Sequence, residues 1–169
     1  SLNANSLEAR ALEGAIALLE DRPADFQTQA DLALKLNPRN GDFFRVAGSQ
    51  LARSYRFDEA LVQTRRALAL EPENVRARTD LGMTLLRLGE EAEARRELEV
   101  AFKADPYDVV KNNSLTMLDA LDKFVTVSDG TLTLRFEPGE AEVMREQALP
   151  LAKEAVAALS RRWNFTPAG

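Results

Sequence analysis

RNGDFFRVAGSQLARSYRFDEALVQTRRALALEP (residues 39–72) runs directly into ENVRARTDLGMTLLRLGEEAEARRELEVAFKADP (residues 73–106), a second stretch of the same length. Laid over one another, they superimpose Pro72 on Pro106, Gly48 on Gly82, Ala67 on Ala101 and Asn40 on Asn74. The step is 34 residues, and the same step leads back to Gly14, Ala33 and Pro38 and forward to Asp108. Leu36, Leu70 and Ala104 fall on it too. Registers that agree on one period mark an internal repeat, in which each copy is one supersecondary unit buried against its neighbours.

Within each copy the pattern is that of two helices. Gly48 and Gly82 lie inside helical stretches, where each costs about 1 kcal/mol relative to alanine. Such a cost is tolerable where a neighbouring helix must approach the backbone. Small Ala60, Ala67, Ala94 and Ala101 suit the same contact from the second helix of each pair. Each proline stops a helix from continuing, and Asn40, Asn74 and Asp108 follow as N-cap residues for the next. The expected helices are 6–20, 24–36, 41–54, 58–70, 75–88, 92–104 and 108–122. The last, with Leu115, Met117, Leu118 and Leu121 at helical spacing, reads as a capping helix over the open end of the third pair.

The repeat resembles the tetratricopeptide family over residues 7–108. That pattern is W-x-x-L-G-x-x-Y, then A-x-x-x-F, then P. Phe44, Ala47, Gly48, Leu51, Ala60, Thr64 and Pro72 carry it in the second copy; Arg78, Leu81, Gly82, Leu85, Ala94, Leu98 and Pro106 carry it in the third. The first copy is degenerate, with Glu13 and Phe26 departing from the pattern around Gly14, Ala17, Ala30 and Pro38. The resemblance implies a right-handed α-solenoid of three helix pairs, whose first helices line a concave groove for peptides or proteins.

After Phe124 the period changes. Val125 and Val127 alternate with polar neighbours, Ser128-Asp129-Gly130 is a turn signal, and Leu132, Leu134 and Phe136 alternate again, giving a β-hairpin. A helical pattern then runs from Glu140 to Trp163, with Leu151, Ala155, Val156, Leu159 and Trp163 on one face; Pro150 should kink or divide it. The chain leaves on a loop-like Asn164–Gly169. The organisation expected is therefore residues 1–123 as repeats with a capping helix, and residues 124–169 as the start of a further domain cut short. Leu118–Phe124, Leu132–Pro138 and Arg162–Pro167 together resemble the tail of a bacterial arrangement in which such repeats precede a peptidase-MA-like (gluzincin) zinc metallopeptidase domain. That resemblance implies an H-E-x-x-H helix beyond Gly169 and transfers no functional residue to this chain. The alternative is an unrelated hairpin and helix.

Composition narrows the function classes. The chain has 169 residues, 45% of them hydrophobic, enough for an ordinary core or a short solenoid. A net charge of −5 argues against a nucleic-acid binder. The absence of cysteine excludes disulfides and thiolate zinc sites, and the absence of histidine removes the commonest general base and metal ligand. No phosphate-binding loop or nucleophile motif occurs. No catalytic, cofactor-binding or metal-binding residue is assigned and no enzyme activity is expected of this stretch. No membrane-length apolar run or signal peptide is visible, though a leader could precede Ser1. Cytoplasm and periplasm fit equally.

Helical phase places Arg45, Ser49 and Arg53 of one copy, Arg76, Met83 and Arg87 of the next, and Asn113 and Met117 of the capping helix on the groove side. Arginine forks bind carboxylates in two-pronged fashion, and methionine surfaces adapt to varied partners. The set suits an acidic or C-terminal peptide with an apolar anchor. The bland alternative is a solvated arginine face paired with local glutamates. A Lys/Asn carboxylate clamp of the kind some family members use is not matched, since Arg45, Ser49, Arg76 and Asp80 stand at those positions. The expected function is protein–protein interaction or scaffolding. Its alternatives are a non-catalytic fragment of a metallopeptidase whose repeats position substrate, with the downstream domain itself docking on the groove, and self-association through an open hairpin edge.

Overall fold

The computed structural model describes residues 6–167, and the remaining residues of the loop-like exit lie outside them. Six helices form three antiparallel pairs: α1 (Leu7–Leu19) with α2 (Pro23–Leu36), α3 (Gly41–Arg53) with α4 (Phe57–Leu70), and α5 (Val75–Leu88) with α6 (Glu91–Ala104). The first helices contact one another in series, α1 on α3 and α3 on α5. A seventh helix, α7 (Val109–Leu121), follows. The chain divides into two compact units, Ser1–Leu115 and Thr116–Gly169, with the division inside α7.

Local chemistry explains the helix ends. Asn40 Oδ1 accepts from the Phe43 N–H at 3.3 Å, Asn74 Oδ1 from the Ala77 N–H at 2.9 Å, and Asp108 Oδ1 from the Lys111 N–H at 3.2 Å. Each bond satisfies one N–H that the first helical turn leaves without a partner. Ser6 does the same for α1 through the Ala9 N–H. The C-terminal end of α1 is closed from the next repeat: Arg56 Nη1 donates to the Leu18 carbonyl at 2.9 Å, and its Nη2 to Asp21 at 2.7 Å.

Close approach accounts for the helical glycines. A Cβ on Gly48 would stand 2.5 Å from Thr64 Oγ1, and one on Gly82 would stand 2.6 Å from Leu98 Cγ. The degenerate first repeat finds its own solution. Phe26, where the later copies have Ala60 and Ala94, is buried with its ring centroid 5.5 Å from Phe43, which lies 5.0 Å from Phe44. Glu13, the other departure, faces solvent.

In the second unit, β1 (Val125–Ser128) pairs antiparallel with β2 (Thr133–Phe136), Val125 opposite Phe136 and Ser128 opposite Thr133. Asp129 shapes the turn by accepting from the Thr131 and Leu132 N–H groups, each at 2.9 Å, and Gly130 takes a φ of 88°. The final helix, α8 (Pro138–Trp163), starts with Pro138 in its first turn, where a missing N–H costs nothing. It contacts both strands, and Lys153 forms an ion pair with Asp129. Of the two effects expected of Pro150, a kink or a division, the division does not occur: α8 runs through it as one helix of 26 residues. One missing N–H at Pro150 is outweighed by the intact ladder on either side. Leu151, Val156, Leu159 and Trp163, the expected apolar face, are exposed.

Candidate functional site

The residues read as groove-facing fall into separate places. Ser49 and Arg53 on α3 and Met83 and Arg87 on α5 line one cavity of about 290 Å³, together with Gly48, Ala52, Tyr55, Phe57, Asp80 and Thr84. Arg45 and Arg76 line a different cavity of about 300 Å³, with Asp80, Asp105, Asp108 and Lys111 among its walls. Asn113 is exposed and lines neither of these, and Met117 belongs to the second unit, where it is exposed.

The first cavity is built by repeat geometry. Arg53 and Arg87 are one 34-residue step apart, each in the last turn of a first helix, so stacking α3 on α5 brings them to the same wall. Basic residues there also complement the negative end of the helix dipole. Among the described residues, neither arginine has an ion-pair partner within 4.0 Å. Arg87 instead lies over the Phe57 ring, its guanidinium carbon 5.8 Å from the centroid, a cation–π distance. Met83 lines the same cavity, its sulfur 3.5 Å from Ser114 Oγ, whose single proton goes to the Val110 carbonyl at 2.8 Å. Tyr55 meets Phe57 edge-on, with centroids 5.8 Å apart.

Asp80 sits between the two cavities. Burial pushes its carboxyl up from the ordinary value, against the opposing pull of Arg45, whose Nη1 lies 3.5 Å away. Arg45 is committed more closely to Asp42 at 2.5 Å, and that bond holds the Asp42 carboxyl below its usual range. Arg45 is therefore a paired arginine, chemically unlike Arg53 and Arg87. The second cavity contains a lysine that the sequence reading missed. Lys111 is buried, with its Nζ 3.0 Å from Asp105 and 3.3 Å from Asp108. It occupies the register of buried Phe43 and Ala77, so its stem takes a core position while its ammonium reaches the rim. That register was the available signal. Tyr55 and Phe57 were missed as well, because Tyr55 lies in the turn after α3 and Phe57 opens α4, whereas the groove was sought on the first helices alone.

No group of three or more His, Cys, Asp or Glu residues able to hold a metal occurs among the described residues. None of the described helices is long and apolar enough to cross a membrane.

Stacked helix pairs with a small-residue interface and an open cavity between first helices define the first unit as a repeat solenoid. A family model described as the tetratricopeptide repeat matches residues 51–109. Solved structures agree on the fold. The Arabidopsis OM64 TPR domain superimposes with a TM-score of 0.53 at 18% identity, covering 67% of this chain and 93% of that one. The first TPR of Spaghetti (RPAP3), bound to the HSP90 peptide SRMEEVD, gives 0.55 at 16% identity, covering 70% and 96%. Pseudomonas aeruginosa PilF gives 0.52 at 22% identity, covering 69% and 53%. Among curated proteins, a peroxisomal targeting signal receptor from Candida glabrata is 39% identical over 69 residues. That stretch is 41% of this chain and only 12% of the receptor.

Proposed function

We propose that the repeat unit is a protein-interaction module that holds an acidic peptide segment in the cavity between α3 and α5. The observation that carries this is the pair Arg53 and Arg87, two arginines with no ion pair within 4.0 Å among the described residues, lining one partly apolar cavity in which Asp80 feels Arg53 only at longer range. The whole chain has a net charge of −5, so this wall is a local reversal of sign rather than part of a general cationic surface. Guanidinium groups left unpaired in this way are free to fork onto a partner's carboxylates. At about 290 Å³ the cavity falls at the lower edge of the roughly 300–1,000 Å³ typical of small-molecule sites, so it suits one or two side chains of a longer peptide. One solved tetratricopeptide relative is bound to a peptide carrying two glutamates and an aspartate, SRMEEVD, which agrees with this ligand chemistry.

The test is a fluorescence-anisotropy titration of a glutamate-rich peptide against the wild-type chain and the Arg53→Ala/Arg87→Ala variant. The double variant should lose about 10-fold or more, the worth of two charge-assisted contacts of ~1 kcal/mol each at a solvated site. Wild-type affinity should also fall as salt rises. Unchanged affinity in the double variant would remove this cavity from the account.

A second reading concerns the tail. The exposed Leu151, Val156, Leu159 and Trp163 on α8 form an apolar surface of the kind a further domain covers. On this reading, residues 124–169 open such a domain, and a gluzincin peptidase is one form it would take. An H-E-x-x-H motif in a longer version of the chain would support that form, and its absence there would end it. If instead a hairpin edge mediates self-association, sedimentation at rising concentration would show a dimer that proline at Thr126 or Arg135 abolishes.

A further inference from the structure

The turn between the two helices of each pair puts the same demand on the backbone three times. Asp21, Tyr55 and Gly89 stand one repeat apart, and all three have positive φ, at 55°, 61° and 81°. Glycine meets that demand without steric cost, and aspartate tolerates it because its short side chain bonds locally. A bulky aromatic residue is the disfavoured choice. Core packing gives Tyr55 little in return, since the residue is 76% exposed. Strain of this kind persists where the surrounding structure and a function hold it in place.

The position of the ring supplies that function. Tyr55 meets Phe57 edge-on, and both line the cavity that holds Arg53, Met83 and Arg87. We propose that Tyr55 is a ligand-selecting residue. With Phe57 and Met83 it forms a slot for a large apolar side chain, aromatic above all, of an acidic peptide whose neighbouring carboxylates engage Arg53 and Arg87. This rests on the peptide-binding reading above and adds to it which side chain the cavity selects. An exposed tyrosine suits the task, because it offers a large amphipathic surface with only two side-chain torsions to immobilise. Offset or edge contacts to Phe57 leave one face of the pair for the incoming ring. Charge complementarity favours an acidic partner over a basic one, with two arginines that form no close ion pair set against the single carboxylate of Asp80, which bonds Arg45 and feels Arg53 only at longer range.

The test uses the full chain and two fluorescein-labelled peptides, one with a phenylalanine flanked by glutamates and one with alanine in its place. Wild type should bind the phenylalanine peptide about 10-fold more tightly, as expected for burying one such side chain. Tyr55→Gly should bring that ratio close to one, keep a salt-sensitive affinity for both peptides, and melt no lower than wild type. Tyr55→Asn, which also accepts the left-handed backbone, should behave alike and guards against a folding defect in the glycine variant. If the folded variants keep the wild-type ratio, Tyr55 does not select the ligand, whereas weakening of both peptides by Arg53→Ala/Arg87→Ala would leave the cavity reading standing. If wild type binds neither peptide, both readings fall together.

Discussion

Replacing Gly48 with alanine sets two effects of known size against each other. Alanine is the better helix former by about 1 kcal/mol, so an exposed glycine in the middle of α3 would gain stability from the change. At this position the new methyl group would meet Thr64 Oγ1 at 2.5 Å and the Ala60 carbonyl oxygen at 3.1 Å. Thr64 cannot simply turn aside, because it is buried and its hydroxyl donates to that same Ala60 carbonyl at 2.8 Å. Overpacking of this kind typically costs ~1–3 kcal/mol, and disturbing the hydroxyl's bond adds roughly 1 kcal/mol. The balance is a net loss of about 1–3 kcal/mol. Urea unfolding followed by circular dichroism should show a lower midpoint, and thermal melting a drop of roughly 2–12 °C. The companion Gly48→Ala/Thr64→Ala isolates the cause: removing the hydroxyl should make the double variant less unstable than the two single losses added, by ~0.5 kcal/mol or more. A Gly48→Ala chain as stable as wild type or more so, with additive behaviour in the pair, would refute close helix approach as the reason for this glycine.

Two further outcomes concern charge. Asp80 has its folded pKa raised above the ordinary 3.8, so its contribution favours folding below that value and is lost as pH rises through the folded pKa. Asp80→Asn should therefore be more stable than wild type at pH 7 and indistinguishable from it below about pH 4 in urea titrations at the two pH values. The same variant should bind an acidic peptide roughly 2- to 5-fold more tightly, because ~1 kcal/mol or less of like-charge repulsion disappears. In the hairpin, Lys153 and the N–H groups of Leu132 and Thr131 hold the Asp129 carboxyl well below its usual range. Its contribution is present above the ordinary carboxylate pKa and is lost as pH falls through the depressed one, so amide-exchange protection of β1 and β2 should weaken in strong acid. That acid sensitivity should be absent in Asp129→Asn.

The registers of proline, glycine and alanine made the three helix pairs legible, because close packing at a fixed step restricts those positions to small residues. The N-caps at Asn40, Asn74 and Asp108 were legible for a similar reason: few side chains reach a first-turn N–H. Helical phase also gave the direction of Arg45 and Arg53, but phase carries no information about height along the axis. Eight residues separate them, roughly 12 Å of helix, enough to place them in different cavities. Arg45 then meets Asp42 and Asp80, a pairing that depends on how α3 and α5 stack. The long final helix was legible from its pattern between Glu140 and Trp163, but whether Pro150 kinks or divides it was not, since a proline rule weighs one missing bond without the ladder on either side. Lys111 was hidden by its charge, although its register with Phe43 and Ala77 marks a buried site.

The aromatic junction of Phe26, Phe43 and Phe44 bears on how such an array can be rearranged. Repeat proteins are often pictured as beads that duplicate or shuffle freely. Here the first junction is keyed: three rings fill it, whereas the Gly82 contact is filled by Leu98 and the register of Phe26 is held by alanine. A copy of residues 39–72 inserted after Pro72 would present two phenylalanines to Ala60 in place of Phe26, leaving space that no side chain occupies. Modular exchange in this protein is therefore directional, with the second copy able to follow the first but poorly suited to follow itself.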